Sequence, residues 1–397
     1  MKKCHFFDSA STTKCAEVAS TLVSKYSVID YGNPSSSHSM GKTAAKAISD
    51  AHYFFSDYFS ILPEQVIFTG SGTEANNLAI YGIALNWLAK KTQLTKPPRM
   101  ICSSIEHSAV KTTMQSLQEL GFDIQIAHVT PDGQIDLNHF NQLLTPETIL
   151  ISIMSVNNVV GSIISTEELA TIAKKKVPNV LFHSDAVQAF GKLEIPKSSS
   201  SVDLISISGH KIEGPKGVGA LIVLNPALLK QHLRPIIWGG GQESGYRAGS
   251  QHAGLIAGFH AAAEISIRNR DIYNKHTTEL QLKLKEGIVQ RGLQHFIHWN
   301  SPSKAVAHII NISIPGIESS VMARTLADLG FMVSTGSACS SHISAPCAIL
   351  QALGYSHEIT SSGIRISTSW SNTFSSIDEL LDAIVVAIEK NKSDIIS

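Results

Sequence analysis

The chain has 397 residues, 43% of them hydrophobic, and its 32 lysines and arginines balance 32 aspartates and glutamates. This length and apolar content suffice for a large buried core and predict two or three domains. Because the charges balance, no overall field would attract nucleic acid or an anionic membrane, and direct DNA or RNA binding is not expected.

Neither a membrane anchor nor a disulfide framework is indicated. Asp8 interrupts the N-terminus before any apolar stretch, and no run of about 18 apolar residues follows. A cytoplasmic location is therefore expected. The five cysteines are an odd number, spread along the chain without a CxxC pair, which argues against disulfides and against a zinc site.

The first two thirds of the chain predict an α/β domain. From about residue 64 to residue 224, short runs rich in Val and Ile alternate with longer amphipathic stretches. This rhythm predicts a mainly parallel sheet with crossover helices. The predicted strands are 65–69, 99–103, 123–129, 148–156, 180–183, 203–208 and 219–224.

The remainder predicts a smaller α+β domain. A Gly-rich loop is expected at about 235–249, followed by a long helical region at about 253–290. Beyond that region, the predicted strands are 295–299, 308–314, 331–334 and 364–367, and the predicted helices are 319–329 and 377–390.

Ligands of open α/β sheets gather beyond the carboxyl ends of the strands, and the first predicted strand is followed by a possible phosphate site. Gly72 and Thr73 lie where a helix begins, so their backbone N–H groups and the helix N-terminus could hold an anion. The capping-box spacing of Ser71 and Glu74 fits an ordinary capped helix as well.

Three further polar residues end predicted strands. His107 follows the second strand and could stack on a planar cofactor and pass protons, or simply begin a helix. Asn157 closes the apolar fourth strand and faces the same edge of the sheet. Asp185 follows the fifth strand, where a carboxylate could keep a pyridinium nitrogen protonated or could cap a helix.

Lys211 follows the sixth strand, in the sequence Ser208-Gly209-His210-Lys211, and precedes a second Gly-rich stretch. An amine held at that point could form a Schiff base with an aldehyde cofactor. A lysine in a turn is otherwise a surface residue, so the neighbouring residues decide between the two interpretations.

Two residues of the smaller domain also suggest chemistry. Cys339 lies in a small, polar, loop-like segment, unlike Cys102 in its apolar strand, and this composition fits a mobile thiolate or a tolerated surface cysteine. Arg365 lies in an alternating strand, where its guanidinium could clamp a carboxylate or face water at an edge. Cys347 is expected to begin a helix.

The candidate residues occur in the chain order expected of fold-type I pyridoxal-phosphate enzymes. That order is the possible phosphate site at Gly72 and Thr73, then His107, Asp185, Lys211 and Arg365. With the Cys339 segment added, the chain resembles the cysteine desulfurases of the NifS/IscS-like group over nearly its whole length. The stretches that carry this resemblance are 8–13, 32–36 with His38, 72–74, 106–107, 156–158, Asp185 with Gln188, 208–211, 247–250, 336–339 and 364–365.

The resemblance implies a pyridoxal 5'-phosphate cofactor held by several different side chains. Lys211 would form the Schiff base, and Asp185 would pair with the pyridine nitrogen. Gln188 would bond the ring hydroxyl, and His107 would stack on the ring. The residues that would hold the phosphate are Gly72, Thr73, Ser208 and His210.

The resemblance also implies L-cysteine as substrate. Asn157 and Arg365 would bind its carboxylate, and Cys339 as a thiolate would take its sulfur as a persulfide, leaving L-alanine. Ser250 would complete the phosphate site of the other subunit in a homodimer. The long loop 334–346 would pass the sulfur to an acceptor protein, for iron–sulfur clusters, tRNA thiolation or DNA phosphorothioation.

The implied domain limits are 1–15 for an N-terminal segment packed on the small domain, 16–252 for the large domain and 253–397 for the small one. Two residues depart from the family pattern. Val159 stands where the family usually has a glutamate, and Trp370 stands where a Ser-Leu-Gly-Arg motif usually ends in arginine. A selenocysteine lyase, an aminotransferase-like enzyme and a non-catalytic scaffold are the alternatives.

Overall fold

The computed structural model describes residues 4–89, 96–335 and 346–391. Its strands are β1 (His5–Phe6), β2 (Val66–Thr69), β3 (Arg99–Ser103), β4 (Asp123–Ala127), β5 (Thr148–Ser152), β6 (Leu181–Asp185), β7 (Leu204–Ser208), β8 (Gly219–Val223), β9 (His298–Trp299), β10 (Ile309–Ser313), β11 (Phe331–Met332), β12 (Ser334–Thr335) and β13 (Gly363–Ser367). Its α-helices are α1 (Glu17–Val28), α2 (Ser39–Phe59), α3 (Gly72–Leu88), α4 (Ser108–Gln118), α5 (Leu137–Leu143), α6 (Thr166–Lys176), α7 (Pro226–Gln231), α8 (Ala253–Arg268), α9 (Arg270–Gln290), α10 (Ser319–Asp328), α11 (Ala348–Ala352), α12 (His357–Ser361) and α13 (Phe374–Lys390). Among the described residues, a helix with the length and apolar character needed to cross a membrane does not occur.

Seven strands form the large sheet, in the order β2-β8-β7-β6-β5-β3-β4. The five strands from β3 to β7 pair in parallel, whereas β8 runs antiparallel to both of its neighbours. The mainly parallel seven-stranded sheet predicted from the Val- and Ile-rich runs is therefore confirmed.

Alternate residues of the central strands face two different layers of helices, as the two-residue period of a strand requires. In β7, Ile205 and Ile207 pack with residues of α2, α6 and α8, whereas Leu204 packs with residues of α3, α4 and α7. Helices cover both faces, so the strands are apolar on both sides. A ligand can reach this sheet only at its edges and strand ends.

Four further strands form an antiparallel sheet in the order β12-β13-β10-β9, which packs against α9, α10 and α13. The predicted single strand at 331–334 is wrong, because β11 pairs in parallel with β1 while β12 joins β13 in the other sheet. Two backbone directions are needed for these two pairings, so the strand is interrupted at Val333.

Two other predicted elements differ from the structure. The strand predicted at 148–156 ends at Ser152, because the chain then turns back on itself between Val156 and Ile163. The helical region predicted at 253–290 is divided into α8, which packs on α1 and the large core, and α9, which packs on α13. The domain limits at 15 and 252 stay predictions.

Candidate active site

Lys211 lies at the carboxyl edge of the large sheet. Gly209–Lys211 form one 3-10 turn directly after β7. The lysine is half-buried, and its Nζ donates hydrogen bonds of 2.6 Å to the carbonyl oxygens of Ala10 and Ser11. The amine is therefore held inside the fold, and the alternative of a surface lysine does not apply.

Asp185 is the last residue of β6, the neighbour of β7, and it is 5% exposed. Its Oδ2 accepts a hydrogen bond of 2.7 Å from Nδ2 of Asn76, which reaches it from α3. Its Oδ1 accepts one of 3.0 Å from the N–H of Val187. The carboxylate is thus fixed at the tip of the strand, close to the turn that carries Lys211.

The N-terminus of α3 is capped as predicted. The Oγ of Ser71 accepts a hydrogen bond of 3.1 Å from the N–H of Glu74. The reciprocal half of a capping box is not formed, because the Glu74 carboxylate accepts from the N–H of Gly70 and from Nε of Arg247 instead, both at 2.8 Å. The N–H of Ser71 is therefore not blocked by the Glu74 side chain.

The start of this helix packs closely against the ends of the two strands. A Cβ on Gly72 would be 2.8 Å from Cγ2 of Val187 and 3.3 Å from Cβ of Ser208, so only a glycine permits this close approach. Several buried polar atoms have no hydrogen-bond partner within the described ranges, and Ser208 Oγ and Gln188 Oε1 are two of them. Buried polar atoms are nearly always paired in folded proteins. The two unpaired atoms fit a ligand that carries polar groups, as pyridoxal phosphate does.

His107 begins α4, as one of its two interpretations predicted. Its Nδ1 accepts a hydrogen bond of 3.1 Å from the N–H of Ala109, which places the proton of the neutral imidazole on Nε2. The preceding residue, Glu106, is buried, and its Oε1 accepts a hydrogen bond of 2.6 Å from Ser103 Oγ. Burial raises the pKa of Glu106 to about 8.

His210 is a neutral ring at pH 7. Burial, followed by the charge of Lys211, lowers the pKa of His210 to about 4. Its Nδ1 lies 3.1 Å from Thr12 Oγ1, and its carbonyl oxygen accepts hydrogen bonds of 3.0 and 2.9 Å from the N–H and the hydroxyl of Thr13. The residue is therefore held from two sides by the N-terminal part of the chain.

Residues 8–13, which we call the N-terminal strap, join most of these groups. The carbonyl oxygen of Ala10 accepts from Lys211 Nζ and, at 2.8 Å, from Gln188 Nε2. Further along the strap, Thr12 and Thr13 contact His210. The sequence shows that this polar hexapeptide matches the family pattern, but it does not indicate what the hexapeptide contacts. Six residues are too few to show the hydrophobic periodicity of a helix or a strand.

Arg365 lies in β13, between β12 and β10, and is 4% exposed, so the alternative of a water-facing edge arginine is wrong. Its Nη1 donates a hydrogen bond of 2.8 Å to the carbonyl oxygen of Asn158. Its Nη2 donates to Asp8 Oδ1 and to Ser11 Oγ of the strap, both at 2.6 Å. The strap therefore connects the guanidinium to the lysine.

Asn157 is fully buried, and the backbone around it uses both ends of its amide. Its Oδ1 accepts hydrogen bonds of 2.9 Å from the N–H groups of Val159 and Val160, and its Nδ2 donates one of 3.0 Å to the carbonyl oxygen of Ile105. The side chain fixes the turn that presents the Asn158 carbonyl. The second Nδ2 proton faces only the thioether of Met154, 3.5 Å away and a weak acceptor, so a substrate oxygen could compete for it.

A cavity of about 30 Å³ lies behind Lys211 and is shared with a second lysine, Lys192. Lys192 is 4% exposed, and burial, followed by the charge of Lys211, lowers its pKa to about 7. The cavity also touches Glu213, which adopts a left-handed φ of 61°, and Trp370. Burial therefore favours the neutral form of Lys192 over its charged form.

Some predicted site residues lie outside this cluster. Thr73 and Ser250 are exposed, on α3 and on the Gly-rich loop. Cys339 lies outside the described residues. The strand that precedes its segment is β12, in which Ser334 is the backbone partner of Arg365. The helix that follows is α11, and Cys347 is its buried N-cap residue, as predicted.

Comparison with known proteins identifies the family. The sequence model of the class-V aminotransferases matches residues 5–380. A mitosomal cysteine desulfurase from Trachipleistophora hominis is 36% identical over 97% of this chain and 86% of its own length. The chain belongs to the cysteine desulfurases of the class-V aminotransferase family.

Two solved structures agree with this membership. A NifS-like protein has a TM-score of 0.87 at 31% identity and covers 98% of this chain and 100% of its own. The structure of SspA in complex with cysteine has a TM-score of 0.78 at 29% identity, over 93% of this chain and 99% of its own. The predicted fold-type I architecture is thereby confirmed, and desulfurases of this family work with pyridoxal phosphate.

The two departures from the usual desulfurase pattern are both packing residues. Val159 is 4% exposed and packs with Val160, Cys347 and other apolar residues of α11. Trp370 stacks on His276 with ring centroids 5.9 Å apart and meets Tyr273 edge-on at 5.3 Å. Both departures exchange a charged side chain for apolar contacts beside the site.

Sequence reasoning missed three supporting residues of this desulfurase site. Asn76 orients Asp185, Glu106 supports the turn before His107, and Lys192 shares the cavity with Lys211. Asn76 and Glu106 are polar residues beside apolar runs, which is a signal that could have found them. Lys192 gave none, because a lysine after a glycine reads as a surface turn.

Proposed function

We propose that this chain is a cysteine desulfurase that uses pyridoxal 5'-phosphate to remove sulfur from L-cysteine, carries it as a persulfide on Cys339 and leaves L-alanine. The observation that carries the proposal is the N-terminal strap, which brings Lys211, Gln188 and Arg365 into one network. A cofactor-binding lysine and a carboxylate-binding arginine are needed together for amino-acid chemistry.

The residues fit the cofactor. Lys211 Nζ would bind its aldehyde carbon, and Asp185 would hold a proton on its pyridine nitrogen. Ser208 Oγ, which has no partner among the described residues, would donate to its phosphate, and Gln188 would face its ring hydroxyl. When bound, the cofactor supplies an electron sink for the substrate's α-carbon.

The chain's own side chains would move the protons. Arg365 would orient the substrate by its carboxylate, and the Lys211 amine, once released, would remove the α-proton. His107 holds a proton on Nε2, because its Nδ1 accepts from the backbone, so it can donate but cannot accept at that atom.

The sulfur step needs a nucleophile. The Cys339 thiolate would attack the sulfur of L-cysteine, forming the S–S bond as the substrate's C–S bond breaks. The carbon fragment would then take up a proton and leave as L-alanine. The described residues on both sides of the segment that carries Cys339 connect to Arg365. Ser334 is its backbone partner, and Cys347 packs with Val159, which follows the Asn158 whose carbonyl oxygen accepts from Arg365.

Replacing Cys339 by serine tests this proposal. We expect sulfide release from L-cysteine to be abolished while the visible absorbance of the bound cofactor is retained. Cys4→Ser is the matched control, since Cys4 is an exposed cysteine outside the site, and we expect it to keep full activity. Full sulfide release by Cys339→Ser would favour a selenocysteine lyase or an aminotransferase-like enzyme instead.

Ser250 and the acceptor extend the proposal beyond one subunit. Ser250 is exposed on the loop that Glu243 anchors by accepting a hydrogen bond of 2.8 Å from the N–H of Phe68. We assign it to the phosphate site of the other subunit in a homodimer. Mass spectrometry of partner proteins after turnover with sulfur-labelled cysteine would identify the acceptor of the Cys339 persulfide.

A further inference from the structure

Arg365 is already engaged by the protein itself. The guanidinium is 4% exposed and makes three hydrogen bonds, to the Asn158 carbonyl oxygen at 2.8 Å and to Asp8 Oδ1 and Ser11 Oγ at 2.6 Å. Two of these three bonds come from the same nitrogen, Nη2. The third nitrogen, Nε, is buried without a partner in the described part of the chain.

The shape of a guanidinium makes this arrangement restrictive. Its donors lie in one plane, and a carboxylate is clamped by two parallel N–H groups on one edge. The two such edges are Nε with Nη2 and Nη1 with Nη2, so each edge uses one Nη2 proton. Since Asp8 and Ser11 take both Nη2 protons, a second carboxylate can be clamped by Arg365 only if one of them gives way.

Asp8 is held in place by the backbone on either side of it. The N–H of Phe7 donates to the carbonyl oxygen of Met332 at 2.8 Å, and the carbonyl oxygen of Phe7 accepts from the N–H of Ser367 at 2.7 Å. The N–H of Ser9 bonds the carbonyl oxygen of Ser367. The backbone beside Asp8 is therefore fixed, so the ion pair with the guanidinium can be released only by rotation of the Asp8 side chain, which is 21% exposed.

We propose that Asp8 is an internal stand-in for the substrate carboxylate, which occupies Arg365 until the carboxylate of L-cysteine displaces it. This inference rests on the proposed function. It makes Asp8 a positioning residue that sets the affinity for amino acids: the incoming anion replaces an ion pair that is already formed, instead of meeting an unpaired cation. The pair also keeps a buried arginine compensated when no substrate is bound.

Asp8→Asn separates this role from simple orientation of the arginine. The amide keeps the shape and one acceptor for Nη2, but it removes the competing negative charge. A hydrogen bond to a charged group is worth more than a neutral one, so we expect KM for L-cysteine and the dissociation constant of L-alanine to fall about tenfold. We expect kcat to change little.

Three controls test whether the effect comes from the Asp8 charge acting on the substrate carboxylate. Asp271→Asn deletes one carboxylate from a side chain that is 92% exposed, and we expect it to leave the dissociation constant of L-alanine unchanged. Cysteamine, which is L-cysteine without its carboxylate, should bind Asp8→Asn and the wild type equally. Ser11→Ala, which returns one Nη2 proton, should tighten L-alanine binding by a smaller factor, about threefold.

Calorimetric titration of the holoenzyme with L-alanine gives the decisive measurement. If Asp8→Asn and Ser11→Ala both bind L-alanine no more tightly than the wild type, Asp8 orients Arg365 and the inference is wrong. Wild-type holoenzyme that releases no sulfide from L-cysteine would instead contradict the proposed function. Melting temperatures identify a variant that fails to fold, and Ser11→Ala then carries the test.

Discussion

The interior of the large sheet and its carboxyl edge both contain buried polar side chains. Those in the interior have hydrogen-bond partners, whereas some at the edge do not. In the interior, His183 of β6 is fully buried, with Nδ1 2.8 Å from Ser152 Oγ and Nε2 2.9 Å from Ser206 Oγ. Burial lowers the pKa of His183 to about 3, so the ring is neutral. Both ring nitrogens therefore have partners on the adjacent strands.

At the carboxyl edge, some buried polar atoms of the strand ends and of the adjoining helix and turn are left without a partner. Within the described ranges, Ser208 Oγ, Gln188 Oε1, Asn76 Oδ1 and Glu106 Oε2 have no hydrogen-bond partner. An unpaired buried polar atom destabilises a protein, so a ligand that supplies the missing partner is bound more favourably. We therefore expect these edge atoms to contact the cofactor, whereas His183 and its two serine partners hold the sheet together.

The largest expected effect is the loss of activity when Lys211, at the carboxyl edge of the sheet, is replaced. Lys211→Ala should abolish sulfide release and the visible absorbance of bound pyridoxal phosphate, because it removes the amine that donates to the strap carbonyls and is assigned to the Schiff base. Lys216→Ala, an exposed lysine five residues on, is the matched control and should keep both. Retention of the absorbance band by Lys211→Ala would remove the lysine from its assigned role.

A large effect on stability is expected from the interior. His183→Ala leaves the hydroxyls of Ser152 and Ser206 buried without a partner and opens a cavity, so the free energy of unfolding should fall by about 4 kcal/mol. Urea denaturation of the cofactor-free protein measures it. An unchanged midpoint would mean that the His183 network contributes little to the sheet.

Glu106 should make stability depend on pH. The folded protein holds its proton up to a pKa of about 8, above the ordinary value of 4.5, chiefly because of burial. Between these values the unfolded chain loses a proton that the folded chain keeps, so the free energy of unfolding falls as pH rises from 4.5 to 8. Glu106→Gln, which is neutral throughout, should lose this slope. Parallel pH curves for the two proteins would show that Glu106 is ionised in the fold.

The finest test compares two serines of one strand. Ser208→Ala removes a hydroxyl without a partner in the described structure, so cofactor-free stability should change by less than about 1 kcal/mol while cofactor affinity falls about tenfold. Ser206→Ala, two residues earlier, deprives His183 of a partner and should cost about 1–3 kcal/mol with cofactor affinity unchanged. The reverse pattern would show that the edge hydroxyl is structural.

The sequence predicts the parts of this molecule that local pattern controls. The strand 99–103 is predicted with its observed bounds, because buried strands have continuous apolar runs. The strand 148–156 is predicted too long, since apolar residues also fill the turn after Ser152. Periodicity does not distinguish a strand from an equally buried turn.

Chain order gives the cofactor residues their family roles, which stay predictions, but it does not give their contacts. Nothing local indicates that Asp8 meets Arg365, because they are 357 residues apart and belong to different elements. The burial of Lys192 could not be predicted for a different, local reason. It depends on how Gly191, at a left-handed φ of 75°, turns the chain inward. Long-range contacts of this kind are set by the assembled fold.

The strap also fixes when the site can form during synthesis. Asp8 leaves the ribosome 357 residues before Arg365, and β1 waits nearly as long for β11. A nascent or truncated chain can therefore contain the whole large sheet and Lys211 while its strap has no strand to join. Non-local contacts form slowly because long loops must close first. The separation acts as a check on completeness, since only a chain made through β13 can assemble the pair of groups that an amino acid must meet.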